Sequence, residues 1–148
     1  MKTITLLRLL RFWPPYLGAG VRVTHINSDL TSIEVQMKLH FWNKNYVGTQ
    51  FGGSLYTMVD PFFMMMLLHN LGRDYIVWDK SAAIRFRKPG TGIVSARFEL
   101  SREQIEEIRS LADQEPKVEP QFQVHILDMS GQVIAEVDKT LYVRRKDK

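Results

Sequence analysis

The sequence predicts an α+β fold in which one antiparallel sheet wraps around one long, buried helix. Residues 32–42 alternate apolar and polar side chains, which is typical of a half-buried strand. Residues 53–71 are apolar on nearly all sides, which is typical of a helix that is buried on most of its surface. Covering this helix with the apolar face of the sheet removes both surfaces from water.

The composition is that of one globular domain spanning residues 1–148. The chain is 45% hydrophobic and 24% charged, and it contains no cysteine, which excludes disulfides and thiolate chemistry. A net charge of +4 suits a phosphate-bearing small ligand. The sequence has neither an aromatic RNA-binding pattern nor a helix-turn-helix signal, so we expect no nucleic-acid partner.

The first element is a short amphipathic helix within residues 1–15, which we expect to end at Pro14 and Pro15. Arg8 and Arg11 interrupt its apolar run, which argues against a signal peptide. The apolar run at residues 61–68 is too short to span a membrane. We therefore expect a cytoplasmic protein with no membrane partner.

The next two segments predict a hairpin. Residues 21–27 and 32–42 form its strands, and Asn27, Ser28 and Asp29 form its turn. The apolar face of the second strand consists of Ile33, Val35, Met37, Leu39 and Phe41. After the apolar helix, residues 81–90 and 92–100 predict two further strands, joined by a Gly/Pro turn.

A surface helix is inserted at residues 101–113. Ser101 is its N-cap and Gln104 completes a capping box, while one helix face carries Ile105, Ile108, Leu111 and Ala112. Residues 120–145 then predict a closing hairpin that turns at Ser130 and Gly131.

A single carboxylate, Asp60, interrupts the apolar helix and is followed by Pro61. An Asp-Pro pair is expected where a helix starts or restarts, with the Asp capping the backbone. The alternative is that Asp60 does chemical work. The glycine pair that precedes it, Gly52 and Gly53, is either a tight turn or a place where a ligand approaches the backbone amides. Asn45 is either a turn residue or part of the site.

With this order of elements, the chain resembles the hotdog-fold thioesterase superfamily, and within it an uncharacterised thioesterase-like branch (DUF4442-like). Those enzymes carry the pattern Asn-x-x-Gly-x-x-His-Gly-Gly before a helix that holds an Asp or Glu. The matching positions here are Asn45, Gly48, Thr49, Phe51, Gly52, Gly53 and Asp60. The chain departs from the pattern twice, because Phe51 replaces the histidine and Pro61 follows the carboxylate.

The resemblance implies hydrolysis of an acyl-coenzyme A thioester, with no cofactor apart from the coenzyme A of the substrate. Asp60 is then the general base or nucleophile, and Asn45 orients water or binds the thioester oxygen. Amides at Gly52, Gly53 and Ser54 polarise the carbonyl. The resemblance also implies homodimers that pair into tetramers, with each site shared across an interface.

Further substrate contacts are expected along the strand after the helix. A polar residue near its start, Asp79 or Ser81, belongs to the site by resemblance, and the sequence does not choose between them. Arg85 and Arg87 share one strand face and, with Lys88, form a basic cluster. This cluster either binds coenzyme A phosphates or keeps an exposed edge charged.

Two other functions remain open at this point. Phe51 and Pro61 favour a non-catalytic protein that binds an acyl thioester or a fatty acid, and the weaker alternative is a dehydratase. The methionines of the apolar helix are expected in the core, with an acyl tunnel as the alternative. The four histidines have no metal-ligand spacing, so we expect no metal.

Overall fold

The computed structural model describes residues 2–147. The helices are α1 (Thr3–Leu9), α2 (Pro14–Ala19), α3 (Gly52–Thr57), α4 (Phe62–Leu71) and α5 (Arg102–Gln114), and a 3-10 turn lies at Leu10–Phe12. The strands are β1 (Val21–Ile26), β2 (Ser32–Lys38), β3 (Tyr75–Phe86), β4 (Ile93–Glu99), β5 (Gln121–Asp128) and β6 (Val133–Arg145).

The strands form one six-stranded antiparallel sheet in the order β1-β2-β4-β5-β6-β3, and it packs around α4 as a hotdog fold. This confirms the predicted α+β class. The Gly/Pro turn after β3 does not make a hairpin, since β3 lies at the edge beside β6 while β4 lies in the middle. The chain therefore crosses the sheet between these two strands.

The second strand is shorter than predicted. Its inward residues Ile33, Val35 and Met37 are fully buried, as the alternation indicates. The strand ends at Lys38, and Phe41 is exposed. The cause is Asn43, which accepts a hydrogen bond from the His40 N–H and donates one to the Lys38 carbonyl, and so closes a turn.

The prediction of one continuous helix over residues 53–71 is wrong, because Pro61 divides it into α3 and α4. Proline has no N–H, so the Thr57 carbonyl loses the partner that it would have in a helix. Instead, that carbonyl accepts hydrogen bonds from the Tyr16 hydroxyl at 2.9 Å and from the Asp60 N–H at 3.4 Å. The restart at Pro61 is confirmed, and it places Asp60 in the break between the two helices.

The N-terminal prediction is also wrong in one respect. Pro14 and Pro15 do not only end a helix; they occupy the first turn of α2, after α1 and the 3-10 turn. Proline is favoured there because its fixed φ suits the first helical position. The result is a bent cover over the core, in which Leu7, Tyr16 and Ala19 are buried.

The surface helix α5 forms as predicted. Ser101 and Gln104 make the reciprocal capping box, and Ile105, Ile108 and Ala112 are buried while Leu111 is exposed. Arg109 donates from α5 to the carbonyls of Asn70 and Leu71. It thereby satisfies free carbonyls at the C-terminal end of α4. The closing hairpin of β5 and β6 is confirmed too, with Gly131 at a positive φ in its turn.

Candidate functional site

A buried lysine, Lys139, lies at the centre of the candidate site. Its side chain is 0% exposed, and it occupies an inward-facing position of β6 between Val137 and Leu141. Its Nζ lies 2.8 Å from the Asp60 carbonyl and 3.2 Å from Asp60 Oδ1. It also lies 2.8 Å from Asp79 Oδ1 and 3.4 Å from the Tyr56 hydroxyl. Four oxygens therefore surround an ammonium group that has three protons.

The Asp60 carboxylate does not cap α4, which corrects that interpretation. The N-terminus of α4 has no side-chain cap hydrogen bond. Within residues 2–147, Asp60 Oδ1 accepts hydrogen bonds from the Tyr56 hydroxyl and Lys139, both at 3.2 Å. The Asp60 side chain remains 52% exposed, so it is fixed in position and still accessible to a ligand.

Asp79 is the second carboxylate of this cluster. It faces inward from β3, and a bulge follows it between Asp79 and Ser81. Its side chain is only 22% exposed, and its contact with Lys139 is a charge contact that lacks hydrogen-bond alignment. Burial raises the pKa of Asp79, although the proximity of Lys139 opposes this rise.

The cluster also perturbs its other members. Burial works to lower the pKa of Lys139, but the contact with Asp79, with smaller contributions from Tyr56 and Asp60, outweighs burial, so the pKa is raised. Burial raises the pKa of Tyr56, and burial together with the charge of Asp60 raises that of Tyr16. At neutral pH the lysine is thus a cation and both tyrosines are neutral hydrogen-bond donors.

A separate cleft of about 340 Å³ contains the start of the glycine motif. Its lining includes Asn45, Gly52, Arg87, Lys88 and Gly90. Asn45 makes a turn, because its Oδ1 accepts from the N–H groups of Val47 and Thr49. The described chain shows no contact between Asn45 and Asp60, so a single copy does not bring these two predicted residues together.

The first turn of α3 presents backbone amides beside this cleft. The first hydrogen bond of the helix runs from the Leu55 N–H to the Phe51 carbonyl, at 3.0 Å. The N–H groups of Gly52, Gly53 and Ser54 precede it, at the start of the helix, where backbone donors have no intrahelical acceptor. The Phe51 ring packs over this turn, where a Cβ on Gly53 would lie 2.7 Å from Phe51 Cε1. The site therefore has an apolar group where the histidine of the motif is expected.

The predicted basic cluster is largely neutralised. Arg85 pairs with Glu136 at 3.1 Å and with Asp138 at 2.6 Å, and Arg87 pairs with Glu136 at 3.0 Å. The two arginines do share one face, as period two predicts. Their charges are offset by carboxylates of β6, and Lys88 donates a hydrogen bond to Gln132. Ser81 lies in β3 beyond the bulge, with its side chain exposed.

Sequence reasoning missed Lys139 and Tyr56. A signal for Lys139 exists, because Val137, Lys139, Leu141 and Val143 are spaced by two and three of them are apolar. A lysine at such a position is either an error in the strand assignment or a buried charge with partners. Asp79 could be found in the same way, since it follows Tyr75 and Val77 at the same spacing.

The antiparallel sheet and the divided central helix define a hotdog-fold protein. More particularly, the chain belongs to the family described as "Domain of unknown function (DUF4442)", whose model matches residues 2–143. A search of curated proteins finds no match.

Several solved structures have the same fold. One is a protein of unknown function from Pseudomonas aeruginosa, described as a probable thioesterase, with 22% identity, a TM-score of 0.83 and coverage of 96% of this chain and 95% of that one. Another is a thioesterase from Haemophilus influenzae, with 16% identity, a TM-score of 0.70 and coverage of 98% and 92%. A third is a mutant of the phenylacetic acid degradation protein PaaI from Thermus thermophilus, with 21% identity, a TM-score of 0.59 and coverage of 87% and 97%.

None of the helices within residues 2–147 has the length and apolar character needed to cross a bilayer. In the same residues, no group of three or more His, Asp and Glu side chains is placed to hold a metal ion.

Proposed function

We propose that the protein hydrolyses an acyl-coenzyme A thioester, with Asp60 as the acting carboxylate. The observation that carries the proposal is the way Asp60 is held. Its carboxylate is not used to cap a helix, and a buried lysine fixes it while half of the side chain stays exposed. A carboxylate that is held in place and accessible is what a general base requires.

The chemistry assigned to the site is acyl transfer to water. Asp60 takes a proton from water, the water oxygen bonds to the acyl carbon, and the carbon–sulfur bond breaks. The proton then returns to the departing thiolate. Amides in the first turn of α3 would stabilise the negative oxygen that forms in between, and Asn45 would orient the water or bind the thioester oxygen.

The test is thiol release from short, medium and long acyl-coenzyme A, with wild type and Asp60→Asn compared. Loss of a general base costs about 10²- to 10⁴-fold in rate, so we expect Asp60→Asn to lose at least about 100-fold. Asp74→Asn is the matched control, since Asp74 is an exposed aspartate that lies after Gly72 at the end of the helix. Equal rates in wild type and Asp60→Asn would refute the role of Asp60.

A second function is favoured by one observation, the packing of the Phe51 ring over Gly53. An apolar ring at the start of α3 suits contact with an acyl chain more than polar catalysis. In this alternative the protein binds an acyl thioester or fatty acid without hydrolysing it. Saturable binding of acyl-coenzyme A without thiol release, unchanged in Asp60→Asn, is the result that this alternative predicts.

The proposal includes a homodimer. Strand β3 is 12 residues long, lies at the edge of the sheet and pairs on one side with β6. An unpaired strand edge of this length is a template for pairing with a second copy. Because Asn45 and Asp60 do not meet in one chain, a site shared between two copies would unite them. Pairing of dimers into tetramers is part of the same proposal.

A further inference from the structure

A second cleft, which we call the Trp42 cleft, is bordered by Tyr16 but has neither Lys139 nor its carboxylate partners Asp60 and Asp79 in its lining. It has a volume of about 360 Å³ and lies between the α1–α2 segment, the hairpin of β1 and β2, and the turn after β2. Its lining includes the charged and aromatic residues Arg11, Phe12, Arg22, Lys38, His40 and Trp42.

The frame of this cleft is held rigidly by a buried asparagine. Asn43 Nδ2 donates to the carbonyls of Ala19 and Lys38, both at 2.9 Å, and Oδ1 accepts from the His40 N–H at 2.6 Å. Gly20 lies against this side chain at φ +80°, and a Cβ on it would come within 3.0 Å of Asn43 Nδ2. These contacts fix the α2 wall relative to the wall formed by the turn, so the cleft is formed before any ligand arrives.

The charge of the cleft is positive and unbalanced. Its lining contains Arg11, Arg22 and Lys38 and no carboxylate. Within residues 2–147 none of these three cations forms an ion pair, whereas Arg85, Arg87, Arg97 and Arg102 each pair with a carboxylate. Arg22 and Lys38 lie on one face of the hairpin, since Arg22 pairs in register with Gln36, two residues before Lys38. Guanidinium and ammonium groups grouped in this way suit phosphate.

The cleft also presents flat aromatic surfaces. The rings of His40 and Trp42 stack with centroids 4.1 Å apart and planes 6° apart, and Trp42 is 55% exposed. On the other side the Arg11 guanidinium lies 4.8 Å from the centre of the exposed Phe12 ring. Aromatic faces beside cations are the arrangement on which nucleobases stack while their phosphates are bound.

We propose that the Trp42 cleft binds a phosphorylated nucleoside, either as a free nucleotide or as the nucleotide end of coenzyme A. The concave shape and the fixed walls favour a small ligand over a bilayer surface. The inference assigns phosphate binding to Arg22 and Lys38 rather than to the neutralised pair Arg85 and Arg87. The coenzyme A form of the inference rests on the proposed hydrolase function, whereas nucleotide binding itself does not.

Calorimetric binding of adenosine 3′,5′-bisphosphate to the full chain tests the inference, with adenosine and inorganic phosphate as partial ligands. Wild type should bind the bisphosphate more tightly than either part. Since a charge-assisted phosphate contact is worth about tenfold or more in affinity, Arg22→Gln/Lys38→Gln should weaken binding by at least about tenfold. Trp42→Ala should weaken it by a similar factor through lost stacking, about fivefold or more. Thermal melts of all variants check that they fold.

The matched control is Arg73→Gln/Lys146→Gln, which removes one exposed arginine and one exposed lysine outside the cleft. It should leave affinity unchanged. Equal loss of affinity in both double variants would show that the effect comes from net charge alone, and it would overturn the inference. The absence of nucleotide binding would overturn it too. Binding only to phosphatidylglycerol vesicles, lost in Arg22→Gln/Lys38→Gln, would make the face a lipid-binding surface instead.

Repeating the titration with coenzyme A in place of the bisphosphate distinguishes a free nucleotide from the nucleotide end of coenzyme A as the ligand. Coenzyme A that binds at least as tightly, with the same dependence on Arg22 and Lys38, identifies its nucleotide end as the ligand. Bisphosphate binding without coenzyme A binding identifies a site for a free nucleotide. All binding is measured in the Asp60→Asn background as well, so absence of hydrolysis and absence of nucleotide binding are separate results.

Discussion

Replacement of Lys139 by methionine removes the cation of the buried cluster while keeping an unbranched side chain that is one atom shorter. Asp79, with 22% of its side chain exposed, is then left without a counter-ion, whereas Asp60, at 52%, regains water. Removing one partner of a buried pair costs about 3–5 kcal/mol. Because Asp60 can rehydrate, we expect about 3 kcal/mol, which lowers the melting temperature by about 6–12 °C for a chain of this size.

The measurement is urea unfolding of wild type and Lys139→Met, with thermal melts as a second reading. Lys80→Met is the matched control, since Lys80 has an exposed side chain and pairs with Glu119 on the surface. Exposed pairs of that kind contribute little, so this variant should unfold close to wild type.

The double variant Lys139→Met/Asp79→Asn separates charge from packing. It removes the orphaned carboxylate along with the lysine, so it should regain most of the lost free energy of unfolding. A Lys139→Met variant as stable as Lys80→Met would refute the reasoning. So would a double variant that is no more stable than Lys139→Met, because the loss would then come from packing alone.

Two predictions remain. Hydrogen bonds from Arg87 and Arg85 lower the pKa of Glu136, and one from Arg85 lowers that of Asp138, so their contribution to stability is present above the unfolded pKa and lost as pH falls through the folded pKa. The pKa of Asp79 is raised, so its contribution to stability has the opposite sign and is lost as pH rises. In urea unfolding from pH 6 to pH 3, the free energy of unfolding should therefore fall more steeply in Asp79→Asn than in wild type. An equal dependence on pH would contradict the assignment. For a site shared across a two-fold interface, mixing inactive Asn45→Ala and Asp60→Asn subunits should restore about a quarter of wild-type hydrolysis through hybrid dimers. No recovery after confirmed subunit exchange would place the whole site in one copy.

The fold is readable from the sequence where the pattern is periodic and local. Most strands follow from alternation, and α5 follows from the Ser101 capping box. The strand predicted over residues 81–90 is wrong in its bounds, since β3 runs from Tyr75 to Phe86. The errors lie where one side chain overrides the pattern. Asn43 ends β2 through hydrogen bonds that no periodicity announces. Pro61 divides a helix that is apolar on both sides of it, because the missing N–H outweighs the uniform burial.

The candidate site was predicted less well, because it depends on contacts between residues far apart in the chain. The sequence indicated Asp60 and, as one of two options, Asp79, which are 19 positions apart. The sequence did not indicate an ion-pair partner for either carboxylate, since Lys139 lies far along the chain on the last strand. Pairing of Arg85 and Arg87 with β6 was likewise invisible, because it depends on the register between the two strands.

A buried ion cluster is weak evidence for stability, since well-packed apolar side chains often serve as well. Its geometry is more informative here. Lys139 satisfies the Asp60 carbonyl at the break that Pro61 creates, and with the same nitrogen it holds the Asp60 carboxylate. An apolar residue at this position of β6 could fill the space but could not orient a half-exposed carboxylate. The cluster therefore costs desolvation and yields one fixed, accessible charge, which suits a site that acts on a ligand.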